Sequence, residues 1–111
     1  MTNEPSYTVL DNLLDEVEIP ENGTLSRVVF SGEGLRVVLF AFDEGEQLTD
    51  HAATVPAVVQ VIKGRLEITL GDETMEIGPG SWVHMEPHLV HALVALEPSV
   101  VVLTLQRGSG T

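Results

Sequence analysis

The sequence predicts an all-β domain, a single β-barrel or sandwich, and three observations carry that prediction. From Thr24 onward, short apolar runs alternate with Gly, Pro, Asp and Asn punctuation at intervals of roughly ten residues, the pattern of closely spaced strands and turns. The chain has 111 residues, enough for one hydrophobic core and too few for two. Hydrophobic residues make up 43% of it, so burial can offset the entropy of ordering and the chain folds.

Only the N-terminal stretch departs from a β pattern. Leu10, Leu13, Leu14 and Val17 recur at helical spacing and Pro20 stops the stripe, which predicts one short helix or turn. Strands are expected near 24–30, 34–42, 57–63, 65–70, 73–77, 81–86, 91–97 and 100–106. The breaks Ser31–Gly34, Asp43–Gly45, Lys63–Gly64, Gly71–Asp72 and Gly78–Gly80 are rich in residues that fix a turn or tolerate positive φ. The expected organisation is an N-terminal segment, 1–23, packing on the barrel or on a partner, a barrel over 24–107, and a flexible tail over 108–111. Residues 1–6, with no apolar anchor, are expected to fray.

Charge narrows the range of partners. Five Lys and Arg against 17 Asp and Glu give a net charge of -12, a field that repels phosphate backbones and anionic lipid faces, so neither nucleic acid nor membrane is expected as a partner. The acids cluster between the apolar runs and read as a solvated surface, with a high-salt cytoplasm as one origin. With no cysteine there is no disulfide, thiolate ligand or Cys nucleophile. The opening residues lack the basic and apolar regions of a signal peptide, and no run approaches the ~20 residues of a membrane helix, which predicts a cytoplasmic protein.

Two strands, Val38 to Phe42 and Val100 to Leu105, are apolar at successive positions and break the inside/outside alternation of a half-exposed sheet. Something must cover their outer faces. A second copy packing sheet on sheet is expected, hence a homodimer; the alternative is the N-terminal segment folding back. Gln60 and Arg36 are expected to face outward, and Trp82 to be core or pocket wall.

Of the four histidines, His51 lies near the middle of the chain and His84, His88 and His91 fall within eight residues of one another in the second half. Clustered imidazoles in a β protein signal a transition-metal site. There is no Gly-x-Ser-x-Gly elbow, no phosphate-binding Gly loop opening a helix and no His-Glu-x-x-His.

Gly45 to His51 followed by Gly64 resembles the first cupin motif, and Gly80 to His91 resembles the second, with the glycine-to-histidine and glycine-to-glycine spacings kept. The resemblance, to small single-domain cupins over about Thr24 to Arg107, implies a jelly-roll β-barrel with its site inside, usually as a homodimer. It also implies His51 and His91 as metal ligands. Ala53 and Ala57 stand where the motif has its second His and its Glu, and Glu86, His88 and Ala95 replace its Pro, Gly and Asn.

Compensation depends on which face of the 81–86 strand points inward. If Trp82, His84 and Glu86 face the interior, His84 completes a three-His site or Glu86 a two-His-one-carboxylate set; if Val83 and Met85 do, His84 is a surface residue. His88, in the following turn, is a rim residue or a further ligand. The expectation is therefore a His-lined barrel cavity binding a divalent transition metal (Zn, Mn, Fe, Ni or Cu) and a small organic ligand. Any chemistry would resemble that of mononuclear-metal cupins, dioxygenase-like or isomerase-like; the alternative is a metal-free cupin that binds or senses a small molecule.

Overall fold

The computed structural model describes residues 4–107; the expected tail over 108–111 and the first three of the residues expected to fray lie outside them. Among the described residues, nine strands follow a single 3-10 turn (Leu13–Glu16). They are β1 (Thr24–Ser31), β2 (Leu35–Phe42), β3 (Gln47–His51), β4 (Ala57–Lys63), β5 (Leu66–Leu70), β6 (Glu73–Ile77), β7 (Trp82–Met85), β8 (His91–Ala95) and β9 (Ser99–Gln106). One sheet has the order β1-β2-β9-β4-β7 and the other β3-β8-β5-β6, every pair antiparallel, so the chain is an all-β jelly-roll barrel as expected.

The core lies between the two sheets. Phe42, Val59, Val61, Met85 and Val101 from the five-stranded sheet meet Leu66, Ile68, Leu93 and Ala95 from the four-stranded one, all buried. Register fixes the outer face by alternation: Leu39 pairs with Val102 and Ala41 with Val100, while Val58 and Gln60 of β4 pair with His84 and Trp82 of β7. Gln60 and Arg36 are exposed, as the sequence suggests.

The helical stripe yields only four residues of 3-10 turn. Asn12 caps it by accepting from the Leu14 amide at 3.1 Å, and Val17 is already extended. With Asn12 and Pro20 bracketing so short a stretch, there are too few turns to repay nucleation. The apolar residues serve another purpose, because Leu14, Val17 and Ile19 lie beside Val100, while Thr8 and Leu10 lie beside Phe30, Leu35 and Val37. Arg27, opposite Leu39 on β1, donates to the Glu16 carbonyl at 2.8 Å and pairs with the Glu16 carboxylate at 3.7 Å. At the same end the Asp43 carboxylate accepts from the Asn22 and Glu44 amides at 2.7 and 2.8 Å, which holds it below the usual carboxylate range.

This segment therefore runs along the outer face of β1, β2 and the start of β9. Leu39 and Ala41 are 0% exposed within one chain, so part of the face that the sequence assigns to a partner copy is covered intramolecularly. What stays open is the other end of that face, around Val58, Thr104, His84 and Trp82, with Trp82 61% exposed. Trp82 is thus not a core residue. No helix among the described residues is long and apolar enough to cross a membrane.

Candidate functional site

A cavity of about 150 Å³ remains inside the barrel. Phe40, Leu48, Val59, Leu93, Val101 and Leu103 form its walls, and the imidazoles of His51 and His91 supply its polar side. Phe40 and Leu103 come from the strands that are apolar on both faces, and both line the cavity rather than the outer surface.

His91 opens β8 and is 5% exposed, facing inward with Leu93 and Ala95 at alternate positions. His51 closes β3 and reaches the same point through a bulge. Leu48 pairs with Leu93 and His51 with His91, so β3 spends one residue more than β8 over the same span. Without that extra residue, strict alternation from Leu48 would turn His51 away from the interior. The two rings meet edge to face, centroids 5.7 Å apart.

His91 has its tautomer assigned by its neighbour. Nδ1 lies 3.0 Å from the Leu89 carbonyl, which can only accept, so Nδ1 carries the proton and Nε2 of the neutral ring is an acceptor. Among the described residues Nε2 has no protein partner, and no side-chain nitrogen or oxygen there is both sealed from solvent and unsatisfied, so Nε2 is not sealed. It is therefore accessible to something small.

The structure shows where the remaining candidate residues lie. Val83 and Met85 point into the core and His84 out, its ring stacked on Trp82 with centroids 6.3 Å apart, so His84 does not join the pair. The cause lies in register: Ala57, Val59 and Val61 fill the interior, and their outward neighbours Val58 and Gln60 pair with His84 and Trp82. Glu86 is exposed in the turn after β7, and His88 is exposed two positions further on. Neither the three-His set nor the two-His-one-carboxylate set is assembled; among the described residues no three His, Asp or Glu side chains converge on one point.

Residues 38–105 match the family model of the cupin domain. The chain belongs to the cupin family. It is similar to a conserved protein of unknown function from Streptococcus pyogenes, 30% identical over 96% of this chain and 93% of that one, with a TM-score of 0.80. It is also similar to KdgF from Halomonas sp., 30% identical, covering 86% of this chain and 94% of that one at a TM-score of 0.74. A cupin superfamily protein from Desulfitobacterium hafniense shares the fold at 20% identity and a TM-score of 0.82, over 96% of this chain and 97% of that one. No functionally curated protein matches.

Cupins often bind a metal, and the donors that the described residues bring together here do not suit a resident one. Where the motif has its second His stands Ala53, and where it has its Glu stands Ala57, which is 2% exposed and packed opposite Met85 and Leu105. Two imidazoles fall short of the three protein ligands that mononuclear catalytic centres generally use.

Proposed function

We propose that this cupin binds a small, uncharged, ring-sized organic molecule inside its barrel, gripping one hydroxyl between His91 and His51 without a resident metal. The observation that carries this reading is the His91 tautomer: with its proton committed to Leu89, Nε2 offers a lone pair to a cavity otherwise walled by hydrocarbon. A ligand hydroxyl can donate to that nitrogen and accept from His51. Size supports a ring, because an apolar cavity near 150 Å³ takes a molecule of about benzene's dimensions. Charge supports neutrality, since a protein at -12 disfavours an anionic ligand.

Phenol is the probe that matches this description. Titrated into labelled protein and followed by amide chemical shifts, it is expected to bind saturably and to perturb residues around Leu93 and Val101. His91→Ala is expected to weaken it at least tenfold, or about 1.4 kcal/mol, the cost of a lost buried hydrogen bond. After dialysis against Zn, Mn, Fe, Ni and Cu, elemental analysis is expected to find under about a tenth of an equivalent of any metal. A full equivalent that His51→Ala and His91→Ala each release would replace this reading with the metal-dependent one.

The proposal includes a homodimer, formed through the part of the five-stranded sheet that the N-terminal segment leaves open. Val58, Gln60, Trp82, His84 and Thr104 present no carboxylate, in a chain with 17 of them. Two acidic copies meet with least repulsion there, stacking sheet on sheet. Trp82 is the only tryptophan, so its emission reports the contact directly. Emission is expected to shift to the red on dilution, and Val58→Asp to give a red-shifted, folded monomer by light scattering. A wild-type monomer at micromolar concentration would overturn the dimer.

A further inference from the structure

Register divides the barrel cavity into a mouth and a floor. β3 runs into β4 through residues 52–56, so the end of the barrel that holds His51 is the end where Ala57 opens β4. Counting inward from that end, the five-stranded wall carries Leu103 opposite Val59, then Val101 opposite both Val61 and Phe40. The four-stranded wall carries His51 opposite His91, then Leu48 opposite Leu93. Among the residues lining the cavity, His51 is exposed, whereas Val59, His91, Leu93 and Val101 are buried. The polar pair therefore stands at the mouth, and Phe40 lies in the deeper row with Val101, Leu48 and Leu93.

Phe40 is the bulkiest hydrocarbon side chain lining the cavity, and it is held in place. Its strand is paired on both sides, Phe40 itself with Ser26 of β1 and with Val101 of β9. The ring stacks on that of Phe42, centroids 6.1 Å and planes 14° apart, and Phe42 is fully buried. On the opposite face of β2, Leu39 and Ala41 are buried as well, so the strand has no room to roll outward. A ligand group that met Phe40 would have to displace packed core, which is costly.

We infer that Phe40 is the specificity-determining residue of the cavity, closing its floor against any substituent on the ring opposite the hydroxyl. The ligand class is accordingly a monocyclic compound with its polar group at one edge and bare hydrocarbon at the other. A hydroxyl held at the mouth by His51 and His91 sends the opposite edge of the ring toward the floor, where the side chains are all hydrocarbon and a second polar group would lie unpaired. In a volume of about 150 Å³, which a benzene-sized molecule fills, a carbon chain at that edge overlaps Phe40. This rests on the cavity reading above and deepens it.

Phenol and 4-ethylphenol test the floor, the second adding a short chain opposite the hydroxyl. Wild type is expected to bind phenol at least about tenfold more tightly than 4-ethylphenol, the scale on which a hydrocarbon pocket discriminates size. Phe40→Val, β-branched and suited to a strand, is expected to bring the two affinities within about twofold or to reverse them. Phe40→Leu removes less packing and is expected to shift the ratio the same way by at least about threefold; it decides the matter should the valine variant not fold. Leu105→Ala trims a side chain that packs on the core outside the cavity and is expected to keep the wild-type ratio, which separates space opened at the floor from a general loosening of the barrel. The inference is overturned, and the cavity reading stands, if wild type binds both probes equally, if the Phe40 variants keep its ratio, or if Leu105→Ala shifts the ratio as far as they do. If wild type does not bind phenol, both fall together.

Discussion

Gly64→Ala is expected to destabilise the protein by about 3–5 kcal/mol, a large part of the 5–15 kcal/mol that holds a domain this size together. Gly64 joins β4 in one sheet to β5 in the other and sits at a φ of +87°, in the left-handed region. A Cβ there would fall on Ser99 Oγ and the Pro98 carbonyl and lie 2.6 Å from Ser99 Cα. None of these can retreat cheaply. Ser99 is 0% exposed, and its hydroxyl is placed by the Glu97 and Arg65 carbonyls at 2.7 and 3.2 Å. Backbone strain and steric overlap therefore add. Thermal unfolding followed by circular dichroism should show a melting temperature lower by roughly 12–20 °C, or an insoluble product. A loss under 1 kcal/mol would mean that the β4–β5 connection shifts freely, against the packing described.

Gly64 also shows why the fold was legible in the sequence. Its place was marked twice, once as a break between apolar runs and once as the last glycine of the first motif, and both signals come from one steric demand. The strands carry redundant signals of that kind. β3 did not, because Gln47–His51 is short and polar outside Leu48, and it becomes a strand only by pairing with β8. The N-terminal stripe misled in the opposite direction: Leu10, Leu13, Leu14 and Val17 keep helical spacing, yet Leu10 and Val17 instead lie against the barrel.

The site was half legible for a related reason. Spacing singled out His51 and His91, but the face of a strand is a property of its partners. His84 faces out because Val59 and Val61 of β4 face in, a fact held in the β4–β7 register and absent from residues 81–86. Likewise the bulge that turns His51 inward has no local marker, since it exists only as a mismatch with β8. The Leu89 carbonyl that assigns the His91 tautomer is fixed by a turn whose glycine position is occupied by His88.

Adding salt is expected to raise stability markedly. The folded chain concentrates a net charge of -12 within a Cα radius of gyration of 14.8 Å, and opposite charges do little to relieve it. Arg27–Glu16 and Arg65–Glu76 are the ion pairs among the described residues, both substantially exposed and so worth little individually. On the four-stranded sheet Glu67 faces Glu76 directly across β5 and β6, a like-charge pair that the sheet itself enforces. Raising ionic strength from about 0.1 to 1 M shortens the screening length from about 10 to 3 Å, so repulsion between exposed carboxylates is largely screened. For a charge of this size the net relief is on the order of 1–2 kcal/mol, because the expanded unfolded chain repels itself less to begin with. Melting temperature should accordingly rise by roughly 5–10 °C between those KCl concentrations. Glu67→Lys, placing a cation opposite Glu76, should raise the low-salt melting temperature and reduce the salt response. A flat profile in KCl would show that the acidic surface imposes no folding cost, and with it that Glu67 and Glu76 are already screened where they stand.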